Sequence, residues 1–587
     1  MALDNIITRK YANFTGVDFS NSEVKSYRSP YALNMFKNYD DSNGACIETR
    51  PGMKFMAMFD NQIYGLFFYK VIDYIHVLLH VGTKLLEWEN FPKTPVITKE
   101  LYTGLNPKKS SHFTWNNNFF FMDGINYLEF DGVECKEVVP TIPITSIGKK
   151  PTGEVINDDY DTNYQPVNVL TPKRKNGFVA DGISTEYFLD TIDLDPASKF
   201  LVQATVDGET KIESVDFTVD RVNGKVTFKV APPAPKESGE SNVFITFSKT
   251  NHDYTDRIQK CNLLTEFDNR IFFAGNQDYP NALFHSELND PRYVRDTAYY
   301  EDGLDLAPIK AIIPGNNVLW VFKELNQNTT GVFYHTPSLN GSDEKVYPSV
   351  TGNINVGCVS TGINFNDDIV FFSKRGLEGI SGELYTEQVL SHRSSLIDSK
   401  LLSEENYEKI QVVEYKGYLL CLVDSKIYLA DSKQKFQNTS GNIEYEWFYF
   451  ELPYNINFFT EYRGNLYLGN AEGQLFLFEG DVDYEKPIES IWTTSKDDFG
   501  YQAYIKTTNK KGNVANLKKK NNDNILVSTI VDGELREKDV YSDEKGYIAY
   551  RIKDKKFKDI QLKFSSNKPF GLFSCTLQGF VAGYIKR

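Results

Sequence analysis

The sequence predicts an all-β protein: a β-propeller of about seven blades, carrying an inserted small β-sandwich and a C-terminal β-layer. Three observations lead there. Aromatic residues make up 14% of the 587 residues, with 36 Tyr and 42 Phe, and such side chains suit a pleated, half-buried surface. Few stretches place apolar residues at i, i+3, i+4 and i+7, so little helix is expected. Finally, one phrase keeps returning along the chain: an apolar residue or two, a short polar turn, then an apolar run.

That phrase reads MFDNQIYGLFFY around Asp60, TWNNNFFFMDGINYLEFDG around Asn117 and EFDNRIFFAG around Asp268. It returns as IPGNNVLWVF around Asn316, NFNDDIVFFS around Asp367, EYKGYLLCLV around Lys416 and EYRGNLYLGN around Arg463. Asn and Gly tolerate positive φ, so Asp-Asn, Lys-Gly and Arg-Gly each predict a tight hairpin. From Asp268 the turns advance in steps of 48, 51, 49 and 47 residues. A period of roughly 40–50 residues with several short strands per unit is the signature of propeller blades. A string of sandwich hairpins with accidental spacing is the rival reading. The step from Asp60 to Asn117, 57 residues, fits a blade with a longer loop.

Between Asn117 and Asp268 the step lengthens to 151 residues, and the excess lies in Gln165 to Thr250. NGFVADGISTEYFL, LVQATVDGE, DFTVDRVNGKVTF and VFITFSK alternate there between Asp-Gly and Asn-Gly turns, which predicts a small sandwich. After Glu489 the repeat stops. A basic, Asn-rich loop is expected over Lys506 to Asn522, and strands resume in NILVSTIVDGE, GYIAYRI, FKDIQLKFSS and GLFSCTLQGFVAGYI. The expected organisation is an N-terminal arm (1–56), propeller (57–164), inserted module (165–250), propeller (251–488) and C-terminal β domain (489–587).

The chemistry-bearing residue types do not gather into catalytic motifs. No G-x-S-x-G, H-E-x-x-H or G-x-x-x-x-G-K-[ST] occurs, nor the Ser-x-Asp-x-Gly-x-x-Trp turn of sialidase-like propellers. No enzyme activity, cofactor or metal is therefore expected. His76 and His80 share a sheet face, where packing is the default. Asp190, Asp193 and Asp195 hint at calcium but lack the Gly and terminal Glu of an EF-type loop. Six scattered Cys without a CxxC pair read as small core residues of a protein made in a reducing compartment. MALDNIITRKYANF lacks the basic-then-apolar layout of a secretory signal. A net charge of −15 argues against tight gripping of nucleic acid, since affinity there comes from neutralising phosphates. The basic runs KKGNVANLKKKNN (Lys510 to Asn522) and PKRKNG (from Pro172) are expected as solvated loop tips.

Both ends of the chain and their order carry a resemblance. SPYALNMF followed by GACIETRPGMK opens it, RIFFAGNQDYPNALFHSELNDPRYV stands in the middle, and FKDIQLKFSSNKPFGLFSCTLQG closes it. On these stretches the chain resembles the tail hub or nozzle proteins of short-tailed bacteriophages, including the DNA-stabilisation family that plugs the portal after packaging. Gln165 to Thr250, with its ADG, VDG, DFTVD and APP signposts, is similar instead to a small β-domain of phage tail-fibre and appendage proteins. The inserted module departs from the short-tailed pattern, and a hub of a long-tailed or gut-phage particle is the alternative.

The resemblance implies a virion tail protein assembled in the host cytoplasm. Copies would form a homo-oligomeric ring, six in number, beneath portal or adaptor proteins and beside tail-fibre or appendage proteins. Viral double-stranded DNA would pass along the shared axis without specific binding, through a carboxylate-rich lumen that repels phosphate. The residues before Pro51 would then drape on a neighbouring subunit and Arg50-Pro51-Gly52 would mark where the arm enters the first blade, with Pro30, Asn34, Arg50, Pro51 and Gly52 as interface candidates. An arm packed on its own propeller is the alternative for that stretch. A host-glycan-binding propeller is the competing function, and it predicts an exposed platform among Trp88, Trp115, Trp320, Trp447 and Trp492. A glycan-degrading propeller would need a carboxylate pair facing across a cleft.

Overall fold

Among the described residues, five four-stranded sheets and four-strand runs within two larger sheets make seven blades. The computed structural model describes residues 7–20, 23–39, 45–156, 164–325, 330–352, 355–381, 389–438, 441–508, 513–519, 525–536, 540–541, 547–552 and 556–583. Blade one is Ile63–Val71, Tyr74–Val81, Lys84–Trp88 and Thr98–Thr103. Blade two runs from Ser111–Trp115 to Cys135–Glu137, blade three from Leu263–Phe267 to Tyr299–Glu301, and blade four from Ile309–Gly315 to Ser349–Thr351. Blade five runs from Cys358–Phe365 to Val389–His392, and blade six from Gln411–Tyr415 to Ile443–Glu451. Blade seven has Ile456–Tyr462, Asn465–Asn470 and Gln474–Phe478, and takes its fourth strand, Met53–Met58, from the other end of the chain.

The repeated turns owe their shape to the residues foreseen. Asn116 and Asn117, Asp268 and Asn269, Asn316 and Asn317, and Asn366 and Asp367 all have positive φ. Lys416 with Gly417 and Arg463 with Gly464 do the same. Two successive positive φ values give the turn whose twist matches a hairpin. Asp60 is the departure. It links Met53–Met58 of blade seven to the first strand of blade one, and the hairpin of blade one turns at Ile72, φ 52°. That turn lies 45 residues before Asn117, so the apparent 57-residue step came from reading a connection as a hairpin.

The chain divides into two compact units. In the unit made of Met1–Lys109, Trp320–Phe333 and Thr351–Arg587, the first strands of blades five, six, seven and one lie side by side in that order. This is the radial stacking by which a blade, apolar on both faces, buries each face on a neighbour. In the unit made of Ser110–Leu319 and Tyr334–Val350, Ser111–Trp115, Leu263–Phe267 and Ile309–Gly315 are stacked likewise. Phe113, Phe120, Phe273 and Phe284 fill the space between its sheets.

The inserted module belongs to the second unit and is a two-sheet sandwich. One sheet has the order Ile144–Lys149, Lys173–Phe178, Val243–Ser248, Gln203–Val206, Glu209–Ile212, and the other Glu186–Phe188, Lys225–Phe228, Phe217–Asp220. Phe178, Tyr187, Phe217, Phe228 and Phe247 form its core. It begins about twenty residues before Gln165, because Ile144–Lys149 pairs in parallel with Lys173–Phe178. PKRKNG is therefore a strand rather than a loop tip. The Lys173 and Lys175 ammonium groups lie 4.9 and 5.8 Å from the Phe200 and Phe244 ring centroids, which lets their stems cover apolar surface.

The C-terminal layer is not a separate sandwich, because N-terminal strands are built into it. Ile7–Ala12 pairs with Gly571–Gly583, Ala32–Leu33 with Ser490–Thr493, and Cys46–Thr49 with the start of Gly571–Gly583. Met35–Asn38 links Cys46–Thr49 to the outer strand of blade six. The expected loop over Lys506 to Asn522 contains two strands, Ile505–Thr508 and Asn513–Lys519, both paired with Gly571–Gly583. Residues 509–512 and 520–522 of that run, like Gly44, lie outside the described residues. Trp447 and Trp492 are fully buried in the core of this unit, each contributing on the order of 2–3 kcal/mol by leaving water.

Candidate functional site

The five residues singled out in the opening stretch converge on one buried ion pair, except for Pro30. Arg50 follows Cys46–Thr49 and precedes Met53–Met58, so it sits where the chain leaves the C-terminal layer for blade seven. Its Nη1 and Nη2 donate to Asp483 Oδ1 and Oδ2 at 2.8 and 2.7 Å. Nε donates to Asn34 Oδ1 at 2.9 Å, Nη1 also to the Pro51 carbonyl at 2.9 Å, and Nη2 also to the Glu451 carbonyl at 3.0 Å. A guanidinium has five N–H donors, and all of them are used. The side chains of Arg50 and Asp483 are 0% and 3% exposed.

Asn34 is the second piece of this clamp. At φ 55° it holds a conformation that Asn tolerates better than most residues, and its amide donates to the Glu489 carbonyl at 2.8 Å. Its Oδ1 also accepts from the Glu451 N–H at 3.0 Å. Gly52 is the third. Its N–H donates to the Gly480 carbonyl at 2.7 Å, and a Cβ there would fall onto the Val482 carbonyl oxygen, with the Val482 carbon and nitrogen at 2.7 Å. Only glycine lets the two backbones approach this closely.

The expectation that Asn34, Arg50 and Gly52 contact a neighbouring subunit is thus corrected. They are buried against their own chain, because an unpaired guanidinium in the interior would be costly and Asp483 supplies its partner. Arg28, at the start of the same stretch, behaves alike: it forks onto Glu446 at 2.9 and 2.7 Å and lies 4.2 Å from the Phe436 ring. Pro51 is half-buried beside the clamp. Pro30 lines a groove of about 910 Å³ together with Asp18, Phe19, Lys496, Asp498 and Lys558. The sequence signal that could have found the clamp was Arg28 and Arg50 themselves, strongly basic residues in a stretch without solvent-facing periodicity. Asp483, far along the chain, gave none.

The remaining candidates separate. Trp88, Trp320, Trp447 and Trp492 are 1%, 5%, 0% and 0% exposed, and Trp115 is half-buried against the core of the second unit, so they do not form the exposed platform that the glycan-binding alternative predicts. Trp88 Nε1 donates to Asn90 at 2.9 Å and Trp447 Nε1 to the Arg393 carbonyl at 3.0 Å. His76 Nδ1 lies 2.6 Å from Glu87, while the His80 ring packs 5.2 Å from that of Tyr64. Asp195 accepts from Ser248 at 2.5 Å and from Thr250 at 2.8 Å. Burial works against its ionisation, but those hydroxyls and the nearby Lys199 hold its pKa below the ordinary range. Among the described residues no group of three His, Cys, Asp or Glu could hold a metal ion. All six cysteines are buried, and none is in a disulfide.

Sequence reasoning also missed a charged cluster on blade five. His392 Nε2 lies 2.6 Å from Asp398 and Nδ1 3.3 Å from Glu378. Burial disfavours the charged ring, but the two carboxylates outweigh it and raise its pKa from 6.5 to about 10. A raised folded-state pKa stabilises fully below the unfolded value of 6.5, and the stabilisation is lost as pH climbs through about 10. The expected result is a thermal midpoint that falls between those pH values more steeply in the wild type than in His392→Gln. Parallel pH profiles for the two proteins would remove this assignment.

No family model and no curated protein matches the chain. Among solved structures, it is similar to the computationally designed Ika8 protein at 10% identity, over 73% of this chain and 99% of that one, TM-score 0.29. BamB from Moraxella catarrhalis aligns at 8% identity over 80% of this chain and 97% of its own, TM-score 0.31. An exo-β-1,3-galactanase from Phanerochaete chrysosporium aligns at 11% identity over 54% and 94%, TM-score 0.20.

Proposed function

We propose that the protein is a structural component of a phage tail, a ring-forming nozzle or hub that retains packaged DNA and forms the channel for its ejection. The observation that carries this reading is the fastening of both chain ends into one body. Met53–Met58 closes blade seven, Ile7–Ala12 is paired along Gly571–Gly583, and the Arg50–Asp483 clamp lies between these seams. A part that bears the pressure of packaged DNA gains from strands that are hydrogen-bonded across such seams. The net charge of −15 supports a passage that does not hold DNA, because phosphate finds little to neutralise it. In this reading Pro30 and its groove face a neighbouring copy, six copies make the ring, and portal or adaptor proteins sit above it.

Negative-stain imaging and mass photometry of the purified protein test the proposal. Closed rings of uniform size are expected, with salt-insensitive failure to retard double-stranded DNA. A monomer at micromolar concentration that releases sugar from a bacterial polysaccharide would instead make this an enzyme.

A further inference from the structure

We infer that a surface on blade three binds an acidic saccharide through the guanidinium of Arg257 and the tyrosine rings around it. Arg257 lies in the turn-rich segment between the inserted module and blade three. Its Cζ stands 5.0 Å from the ring centroid of Tyr254, 5.0 Å from that of Tyr279 and 5.9 Å from that of Tyr299. The loop is fixed beneath it, since the Arg257 carbonyl accepts from Asn276 Nδ2 at 2.8 Å. Tyr254 and Tyr279 are held by their own hydroxyls, which donate to Asp296 at 3.0 Å and to the Asp253 carbonyl at 3.3 Å.

Arg257, like Arg174 and Arg463, forms no ion pair among the described residues, and of these three it is the one ringed by three tyrosines. Arg28, Arg50, Arg221, Arg292 and Arg393 each pair with a carboxylate of the chain. Arg257 pairs with none among the described residues, and its Nε is buried without a hydrogen-bond partner. Rings around a guanidinium displace water from its faces and leave its edge to donate, and a planar carboxylate matches that edge with two parallel hydrogen bonds. Tyr299 is 42% exposed on the outer strand of the blade, an open flat ring on which the C–H face of a pyranose can rest.

A second recess adjoins the cage. Tyr254 also lines a cavity of about 240 Å³ with Lys249, Thr250, Asn251 and Gln259. Gln259 lines this cavity, and its Oε1 is buried without a donor. Together the two recesses offer the Arg257 guanidinium for a carboxylate, the Lys199 and Lys249 side chains beside it, a flat ring for a sugar face and amide or hydroxyl groups for its alcohols. A uronic acid fits this set. A nucleic acid fits less well, because Asp256 lines the same cavity and Asp296 touches Tyr254, and both repel a run of phosphates.

The test is affinity electrophoresis of the full chain in gels containing polygalacturonate, neutral dextran or polyphosphate. Retardation by polygalacturonate alone is expected, with affinity falling about tenfold or more in Arg257→Gln, the loss of one charge-assisted pair. Tyr299→Ala should weaken binding likewise while Tyr299→Phe preserves it. Because Tyr299 is exposed, those two variants decide the matter even if Arg257→Gln fails to fold. No retardation by polygalacturonate, equal retardation by dextran or polyphosphate, or undiminished affinity in Tyr299→Ala would overturn the assignment. None of these outcomes depends on whether the protein assembles into rings.

Discussion

Arg50→Ala is expected to destabilise the unit that contains it by about 3–5 kcal/mol, the cost of leaving one member of a buried ion pair without its partner. The effect should lie at the upper end because Arg50 does more than meet Asp483. It also donates to Asn34 Oδ1 and to the carbonyls of Pro51 and Glu451, and each of these acceptors would lose a charge-assisted donor. Arg50→Lys should recover little, since an ammonium cannot supply a planar fork of five donors. Arg50→Met combined with Asp483→Leu should recover part of the loss, because no charge then remains buried. The measurement is the denaturant midpoint followed by tryptophan fluorescence, which reports Trp447 and Trp492 in the same unit. A midpoint for Arg50→Ala within error of the wild type would mean that the clamp contributes nothing.

Gly52→Ala should cost about 3 kcal/mol, near the top of the range for overpacking. The clash is with the backbone of Val482, not with a side chain that could rotate away. Relief requires parting the two segments, which breaks the Gly52 to Gly480 hydrogen bond and draws Met53 from its pairing with Asp483. The first sign should be local. Limited trypsin digestion is expected to cut after Lys54 in the variant under conditions that leave the wild type intact. Equal digestion of both proteins would show that the approach can relax at no cost.

The two variants bear on how much of this structure the sequence disclosed. Blade spacing was legible because Asn-Asn, Asp-Asn, Lys-Gly and Arg-Gly mark turns by local backbone chemistry, and six of the seven turns fall where those pairs stand. Asp60 misled for the same reason: its Asp-Asn pair has turn chemistry but joins two different blades. The sandwich was legible from its alternation, except for Ile144–Lys149, whose parallel partner lies beyond a connection with no local mark. The clamp was not legible, since Arg50 and Asp483 stand 433 residues apart and only the closure of blade seven brings them together. Tryptophan exposure was not legible, because a large aromatic residue suits a propeller core as well as a sugar platform. The Arg257 cage was hidden because Tyr254, Tyr279 and Tyr299 meet only after blade three has folded.

Closure of blade seven by Met53–Met58 also constrains how the protein is made. Met58 pairs with Gln474, so the partner strand is still 416 residues from synthesis when Met58 is added. At ordinary rates of synthesis that strand waits on the order of 20–80 s for its partner. The nascent chain must therefore keep that strand soluble and unmatched through most of translation, and the exposed Lys54 beside it helps to discourage misplaced pairing. Completion of the last blade becomes a checkpoint: only a ribosome product that extends past Phe478 can seal its own beginning.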